Sequence, residues 1–576
     1  MNATGLKMAR GRAKGGRRRR WLKWAFGALA VVLVALGVVV AVSLHRAEPM
    51  LRAVIVERLQ DRFRARVELD SFHISLVHGL VAEGKGLRIW PPAQVEGVTV
   101  PGGNAASPSR PPLIQLDDFR FRAPLHYSPG QPIRISVVQL NGLTIDVPPK
   151  THFTHAANSS DTGNSQTKKG LASALLDFAI NAIECKDARL ALETSKPGKL
   201  PLMFDIAQLK LSGVTANGTM RFDAQLTNPR PAGLILTSGT VGPWAVDDPG
   251  ETPITGTYEF QHADLSVFKG IAGVLESTGR YQGVLRNLVV DGETTTPDFR
   301  LAHFGTAVPL TTTFHATVDG TNGDTWLRPV NAVLGQSHFA CEGEVIGQQA
   351  VKLANGVEQP AGHDIALKVN ISDGKMEDFL RLTSKAETPL LTGDLKLKTT
   401  LDIPPGTPPV FERIKLNGNF SLDDARFTSE KIQDYVAQLS LRGQGDPKDV
   451  KQAKQNGGKD VRSVMESDFT MAEGAIDLPD LKYTVPGAEI DLAGRYGVEG
   501  STLDFAGTAK MQATVSQMVG GWKGFLLKPA DRFFKKDGAG TEIGIHLSGT
   551  REAPKFGVDL PGAKQKTHPA VPGQPD

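Results

Sequence analysis

Residues 487–497 read GAEIDLAGRYG, and apolar and charged side chains alternate within this stretch. In an extended strand Ile490 and Leu492 lie on one face, whereas Glu489 and Asp491 lie on the other. Glycines stand at both ends of the stretch and interrupt regular structure. The pattern therefore predicts a short strand with one apolar face and one hydrated face.

The same alternation recurs along the chain from Val67 onward, between turns rich in Gly, Pro, Asn and Asp. The other alternating positions are Phe119/Phe121, Ile133/Ile135/Val137, Leu190/Leu192, Leu209/Leu211, Phe222/Ala224/Leu226, Leu395/Leu397, Leu439/Leu441, Ile476/Leu478 and Ile543/Ile545/Leu547. The 61 Gly and 37 Pro residues against 6% aromatic residues also favour many short strands. No fixed repeat period emerges, which argues against a propeller or a helical-repeat solenoid.

These patterns predict a mainly β fold: one N-terminal transmembrane helix, then an elongated, curved, largely antiparallel and groove-like sheet with a few short helices. An apolar sheet face needs a cover. A row of dry β-sandwich domains fits the same alternation as well as a groove that holds lipid does, so both remain open.

Helical patterns are sparse. Glu48–Arg66 places Leu51, Val54, Ile55, Leu59 and Phe63 on one helical face, which predicts an amphipathic helix. Its role is open between an interfacial element at a membrane and a cap on a sheet edge. Further helix candidates are Leu171–Ile183, Ala263–Glu276, Lys375–Thr383 and Ala513–Lys536, the last interrupted by Gly520-Gly521 and Pro529.

Residues 25–44 (AFGALAVVLVALGVVVAVSL) contain no charge and as a helix would span roughly 30 Å. Residues 1–24 carry nine Lys or Arg and no acidic residue, so the positive-inside rule places the N-terminus in the cytoplasm. The residues that flank this predicted anchor are Arg17, Arg18, Arg19, Arg20, Trp21 and Trp24. We expect a single-pass inner-membrane protein with its bulk in the periplasm. A cleaved signal peptide is the less favoured alternative, because the apolar run is long and no clean A-x-A site follows it.

The formal charge of +4 does not indicate nucleic acid. Nine positive charges lie in residues 1–24, so the rest of the chain carries 4 − 9 = −5. No basic stripe for a phosphate backbone remains, and we therefore expect no nucleic-acid partner.

Motifs that carry chemistry are missing from the sequence. HExxH, GxSxG, P-loop and EF-hand patterns do not occur, and the histidines are scattered. Cys185 and Cys341 lack the spacing of a zinc site, and whether they pair remains open. The sequence therefore predicts no catalytic residues, no metal, no cofactor and no enzymatic activity.

Polar and low-complexity stretches suggest boundaries along the exported chain. The predicted divisions are a basic cytoplasmic segment (1–24), the transmembrane helix (25–44), an N-terminal helix and β region (45–150), a polar loop (151–170), a central β region (171–442), a second polar loop (443–463), a C-terminal region (464–560) and a disordered tail (561–576).

The two ends of the exported chain carry a resemblance. The N-terminal stretches are PML at 49–51, VELDSFHIS at 67–75 and EGKGLRI at 83–89; the C-terminal stretches are 487–497, LDFAG at 503–507, GAGT at 538–541 and LSGTREAPKFG at 547–557. These stretches resemble the AsmA-like family of Gram-negative envelope proteins, which includes TamB- and YhdP-type members. The regions 45–150 and 464–560 are thus similar to the N-terminal and C-terminal regions of that family's proteins. The middle of the chain matches them only in its general pattern.

The resemblance implies an inner-membrane-anchored periplasmic protein of outer-membrane and envelope biogenesis that binds or conducts phospholipid or another acyl lipid along an apolar β-groove. The alternative it implies is a tethered assembly factor for outer-membrane proteins, with other envelope proteins as partners. The resemblance also implies that inward apolar positions line the groove, and the candidate groove-lining residues are Phe420, Leu422, Ile490 and Leu492. The candidate contacts of a terminal helix, for which an end-cap is the alternative role, are Trp522, Phe525, Leu526, Phe533 and Phe534.

Overall fold

The computed structural model describes residues 48–61, 63, 65–75, 80–90, 112–123, 133–147, 178–193, 201–214, 218–243, 245, 248–268, 270–302, 305–348, 351–352, 358–359, 361–384, 386, 388–446, 461–519, 540–551 and 553–559. The predicted transmembrane segment (25–44), first loop (151–170) and tail (561–576) lie outside this set, as do residues 447–460 of the predicted loop 443–463. Among the helices in the described set, none is long and apolar enough to cross a membrane.

The described part of the chain is mainly β. Its strands are β1 (Val67–Ser75), β2 (Leu80–Ile89), β3 (Ile114–Ala123), β4 (Ile133–Asn141), β5 (Thr144–Val147), β6 (Phe178–Leu192), β7 (Leu202–Val214), β8 (Met220–Pro229), β9 (Ala232–Val241), β10 (Pro253–Asp264), β11 (Ile271–Ala272), β12 (Val274–Val284), β13 (Asn287–Thr296), β14 (Arg300–Leu301), β15 (Leu310–Val318), β16 (Thr325–Leu334), β17 (Ser337–Gln348), β18 (Val351–Lys352), β19 (Glu358–Gln359), β20 (Gly362–Lys375), β21 (Leu391–Ile403), β22 (Lys415–Phe427), β23 (Val464–Ala472), β24 (Ala475–Val485), β25 (Ala488–Gly497), β26 (Thr502–Met511), β27 (Thr541–Thr550) and β28 (Pro554–Asp559).

Helices are few in this part of the chain. They are α1 (48–61), α2 (Met376–Thr383), α3 (Val410–Arg413), α4 (Glu430–Gly443) and α5 (Val515–Val519), with 3₁₀ turns at Pro249–Glu251 and Leu265–Val267. One sheet contains 24 of the strands, and β11/β14 and β18/β19 form two small separate ladders. The described strand registers are antiparallel, for example β21 with β22 and β25 with β26. The predicted mainly β, antiparallel fold is confirmed.

The chain divides into two compact units. The first unit comprises residues 1–144, 156–185 and 213–216, and the second comprises 145–155, 186–212 and 217–576. In the first unit, β1 pairs with β2, β2 with β3 and β3 with β4. Helix α1 begins at residue 48, as predicted, and Val56, Leu59 and Phe63 pack against a buried cluster that includes Val67 and Ile89.

The second unit is an antiparallel meander. From β7 to β28, each strand of the large sheet pairs with the next one along the chain. Neighbouring strands of such a sheet are also neighbours in sequence, so short turns suffice to connect most of them.

Two helices cover part of one face of this sheet. Met376 and Phe379 of α2 pack on a cluster that contains Leu395 and Leu422. Leu439 of α4 packs on a second cluster, which contains Tyr483, Val485 and Ala488. Two dry clusters of the second unit therefore lie beneath α2 and α4, at one end of the strands β20 to β26.

One predicted alternation proves to be helical. Leu439 and Leu441 were expected in a strand, but they lie in α4. Ile432, Val436 and Leu439 recur at helical spacing, and all three are shielded from solvent to some degree. Glu430 in the first turn and Arg442 in the last turn also suit the helix dipole. The other predicted alternations all lie in strands.

Two of the helix candidates are wrong. Residues 178–183 of Leu171–Ile183 belong to β6, because a short apolar run fits a strand as well as a helix and pairing in the sheet decides; residues 171–177 lie outside the described residues. Ala263–Glu276 contains a 3₁₀ turn and strand segments, and Gly270 and Gly273 adopt positive φ angles of 106° and 138° that interrupt a helix.

The structure contains helices within the other two helix candidates. Lys375–Thr383 is confirmed as α2. Of Ala513–Lys536 the structure describes 513–519, where Val515–Val519 forms α5. The candidate contact residues Trp522 to Phe534 lie outside the described residues.

The packing of α2 depends on one buried carboxylate. The Asp378 residue is 2% exposed, and its Oδ2 accepts hydrogen bonds from the Gln336 amide and the Ser337 hydroxyl, both at 2.8 Å. Ser337 Oγ also accepts from the Lys375 amide at 2.8 Å. One carboxylate thus joins α2 to the turn between β16 and β17.

Asp378→Ala should destabilise this region by about 2–3 kcal/mol, because it leaves two donors without their charged acceptor. Asp378→Asn keeps one carbonyl oxygen and should cost less. Hydrogen exchange of the peptides that contain α2 and the β16–β17 turn measures the loss. Asp373, whose side chain is 76% exposed, supplies the control Asp373→Ala, expected within about 0.5 kcal/mol of the parent. Equal protection in Asp378→Ala and Asp373→Ala would contradict the assigned role.

Candidate functional site

The strand registers of the second unit place uncharged residues together on one face. Residues that are directly opposite in an antiparallel pair lie on the same face of the sheet. Leu367 pairs with Leu401, and Leu401 pairs with Leu416. The row continues through Met471 and Ile476 on the next two strands. Similar rows of uncharged residues extend across the meander from β7 to β28.

We call this face the apolar strip. At the register-paired positions of the described strands β7 to β28, it contains no Asp, Glu, Lys or Arg. Representative members, in chain order, are Leu209, Phe222, Ile235, Tyr258, Tyr281, Val290, Phe314, Leu327, Val345, Leu367, Leu401, Leu416, Phe420, Phe469, Ile476, Leu492, Phe505, Ile545 and Phe556.

The opposite face carries the charges. Cross-strand ion pairs join Lys396 to Asp423 at 3.0 Å and Arg495 to Asp477 at 2.7 Å. These side chains are largely exposed, and such pairs contribute at most about 1 kcal/mol each. Their main effect is to keep this face hydrated, which leaves the uncharged face as the one suited to apolar ligands.

Burial varies along the apolar strip, whose buried members include Phe222, Phe469 and Phe505, and the contrast is clearest along β20 to β22. Under the helices, Leu395 and Leu422 are buried, and Leu422 is 0% exposed. Toward the other end of the same strands, Leu367, Leu401 and Leu416 are only half-buried. We call the half-buried part the open section. Its side chains are apolar, unlike those of a hydrated surface, and they keep some exposure to solvent, unlike those of a closed core. Extended apolar surface of this kind usually has an interaction partner.

The four candidate groove-lining residues all lie on the apolar strip. Leu422 pairs with Met465, Met465 with Tyr483, and Tyr483 with Ile490, so Leu422 and Ile490 belong to one row. Leu422 lies in the covered section. Phe420, Ile490 and Leu492 are half-buried, and the first two pack against the clusters beneath α2 and α4. The anchor flanks Arg17 to Trp24 are outside the described residues.

Sequence reasoning missed a set of hydroxyl groups on the same face. We call it the hydroxyl belt. Its members are Thr237, Tyr258, Ser277, Tyr281, Thr294 and Thr312, on β9, β10, β12, β13 and β15. The distances are 2.7 Å from Tyr281 Oη to Thr237 Oγ1, 3.0 Å from Tyr258 Oη to Ser277 Oγ, and 2.7 Å between the Thr294 and Thr312 hydroxyls. The belt is a polar interruption of an otherwise apolar surface.

Glycines make room for the two tyrosines. A Cβ at Gly256 would lie 2.7 Å from Tyr281 Oη, and a Cβ at Gly292 would lie 2.6 Å from Tyr258 Oη. Tyr281 therefore extends over a glycine of the adjacent strand β10, and Tyr258 extends across β12 to a glycine of β13. The sequence contains a signal for this arrangement, since GTY at 256–258 and GRY at 279–281 each place a glycine two residues before the tyrosine, on the same strand face.

Both phenols stay protonated at neutral pH. Burial raises the pKa of Tyr258, and its hydrogen bond with Ser277 lowers it by less. Burial likewise raises the pKa of Tyr281, and the hydrogen bond with Thr237 partly opposes the change. The belt therefore adds no negative charge to the apolar strip.

Two shallow depressions lie on the charged face rather than on the apolar strip. One, of about 440 Å³, is lined by Glu342, Lys368 and Lys398 among others. The other, of about 540 Å³, is lined by Glu293 and His338 among others. Within the described residues, no group of three His, Cys, Asp or Glu side chains is placed to hold a metal ion. No disulfide joins the two cysteines of the chain, both of which the structure describes.

The strongest candidate site is therefore the apolar strip with its open section and its hydroxyl belt. At the register-paired positions that the structure describes, this surface carries His363 but no Asp, Glu, Lys or Arg, and its chemistry is that of contact with an apolar ligand. Comparisons of this chain with protein-family models, with curated proteins and with solved structures found no match.

Proposed function

We propose that this chain is an inner-membrane-anchored periplasmic protein of outer-membrane and envelope biogenesis, and that it binds or conducts phospholipid whose acyl chains lie along the apolar strip. The observation that carries the proposal is the lack of Asp, Glu, Lys and Arg at the register-paired positions of one sheet face along the described strands β7 to β28. The uncharged segment 25–44 and the resemblance of both chain ends to AsmA-like proteins support the location.

The energetics favour an acyl ligand. Each methylene group that leaves water contributes about 0.8 kcal/mol, and the half-buried side chains of the open section lose their own contact with water at the same time. The ion-paired residues of the opposite face offer no comparable gain. Binding of this kind is passive and uses no cofactor or catalytic residue. We further propose that the sheet curves into a groove around the strip.

A photo-crosslinking experiment on the full chain in its membrane tests this function. Benzoylphenylalanine is placed at Leu401 or Leu416 on the strip, and in matched variants at the adjacent Thr400 or Asn417 on the charged face. Because neighbouring residues of a strand point to opposite faces, only the strip variants should yield lipid adducts by mass spectrometry. Equal labelling from both faces, or no lipid adduct at any position, would refute the proposal.

A second candidate function, tethered assembly of outer-membrane proteins, rests on strand β28. Among the described strands β28 pairs only with β27, and its Phe556 and Val558 are 76% and 58% exposed. An open edge with exposed apolar side chains suits β-augmentation by a strand of another protein. The same crosslinker at Phe556 distinguishes the two functions: adducts to an outer-membrane protein, without lipid adducts on the strip, would favour assembly over lipid binding.

A further inference from the structure

The proton of the Tyr281 hydroxyl is already used within the hydroxyl belt. Thr237 Oγ1 donates its proton to the carbonyl oxygen of Thr257 at 2.8 Å. A threonine hydroxyl has one proton. Because a carbonyl oxygen can only accept, both contacts of Thr237 are satisfied when Thr237 donates to Thr257 and the phenol of Tyr281 donates across the 2.7 Å contact. The Tyr281 oxygen keeps lone pairs that can accept, but it has no proton left to donate.

Tyr258 is in the same state. Both contacts of Ser277 are satisfied when Ser277 Oγ donates to the carbonyl oxygen of Glu293 at 2.9 Å and the phenol of Tyr258 donates across the 3.0 Å contact. The two phenol rings lie near each other, with their centroids 6.5 Å apart. The belt thus presents a pair of hydrogen-bond acceptors next to two aromatic rings.

The surroundings decide which ligand group this pair can take. The strip has no Lys or Arg at its register-paired positions, so a phosphate or carboxylate near Tyr258 and Tyr281 would find neither a cation nor a phenol proton. A group that carries O–H or N–H protons can donate to both phenol oxygens. An ammonium group gains further from the aromatic rings through cation–π attraction.

We propose that Tyr258 and Tyr281 form a polar subsite of the apolar strip that accepts hydrogen bonds from a hydroxyl or ammonium group of an amphiphilic ligand. This inference rests on the proposed function, because the apolar part of the ligand is held by the strip. It deepens that function by assigning a ligand chemistry to one part of the strip: the polar end that binds here is a hydrogen-bond donor and is not a bare anion.

The test uses the full chain held in amphipol and three photoreactive ten-carbon probes that differ only in the polar end: an amine, an alcohol and a phosphate. Labelling of the strip is quantified by mass spectrometry. In the double variant Tyr258→Phe and Tyr281→Phe, labelling by the amine and alcohol probes should fall about threefold to tenfold, whereas labelling by the phosphate probe should not change. Phenylalanine keeps the rings, and the exposed Tyr435 of α4 supplies the matched control Tyr435→Phe.

The outcomes separate the two proposals. If the strip is labelled but the double variant behaves as the parent with all three probes, or loses phosphate labelling as well, the subsite is wrong and the proposed function stands. If no probe labels the strip in the parent chain, both fail. A fall confined to the amine and alcohol probes supports the subsite, because a merely structural role of the tyrosines would affect every probe alike.

Discussion

Replacing Leu401 with glutamate should lower the phospholipid bound by the full chain by about tenfold or more. Leu401 is half-buried in the open section, with Leu367 and Leu416 opposite it on the two neighbouring strands. An acyl chain that covers this position would remove water from the new carboxylate, and the described register-paired positions of the strip hold no Lys or Arg to pair with it. Desolvation of an unpaired polar group costs about 2 kcal/mol or more, and about 1.4 kcal/mol already corresponds to a tenfold change in affinity.

The matched control is Thr400→Glu, one residue earlier on the same strand. Thr400 is exposed on the charged face and pairs with Lys368 and Asn417. A glutamate there stays hydrated and faces a lysine, so bound lipid should remain within about twofold of the parent. The measurement is the phospholipid that co-purifies with each variant, quantified by mass spectrometry. If folded Leu401→Glu and Thr400→Glu variants bound equal amounts of lipid, the strip would not be the binding surface.

The strands were predictable because the pattern that identifies a strand depends only on residues that are close together in the sequence. Alternation such as Ile490/Leu492 depends on which side chains face water along one strand, and the sequence alone shows it. The assignment of Leu439 and Leu441 failed because two apolar residues at a spacing of two also occur on a helix. Short apolar runs such as 178–183 have the same ambiguity, and pairing with a distant strand resolves it.

The sites were harder to predict, because they depend on register between strands. Phe420 and Ile490 could be placed on an apolar face, but nothing in the local pattern distinguishes the covered Leu422 from the open Leu401. The helix that covers Leu422 begins at Met376, far away in sequence. The hydroxyl belt was missed for a similar reason: Tyr281 contacts Thr237 across an intervening strand, and only the registers of β9, β10 and β12 reveal it.

The covered section of the strip should matter for stability rather than for ligand. Leu422 is 0% exposed and packs in one cluster with Leu395, Ala425 and Phe379. Leu422→Ala removes buried methyl groups and leaves a cavity beneath α2, which should destabilise this part of the second unit by about 3 kcal/mol. Leu416→Ala is the matched control, with the same change on the same strand face. Because Leu416 is half-buried, its loss should cost about 1 kcal/mol.

Hydrogen exchange of the peptides from β20 to β22 in the full chain measures both local free energies of opening. Bound phospholipid, measured in the same preparations at a temperature where both variants are folded, should fall little in Leu422→Ala, because this side chain already faces α2 and has no surface left for an acyl chain. Compared with Leu422→Ala, Leu416→Ala should lose less hydrogen-exchange protection and more bound phospholipid. If Leu422→Ala lost lipid as strongly as Leu401→Glu while β20 to β22 kept their protection, the binding surface would extend beneath α2, and the division of the strip into covered and open sections would be wrong.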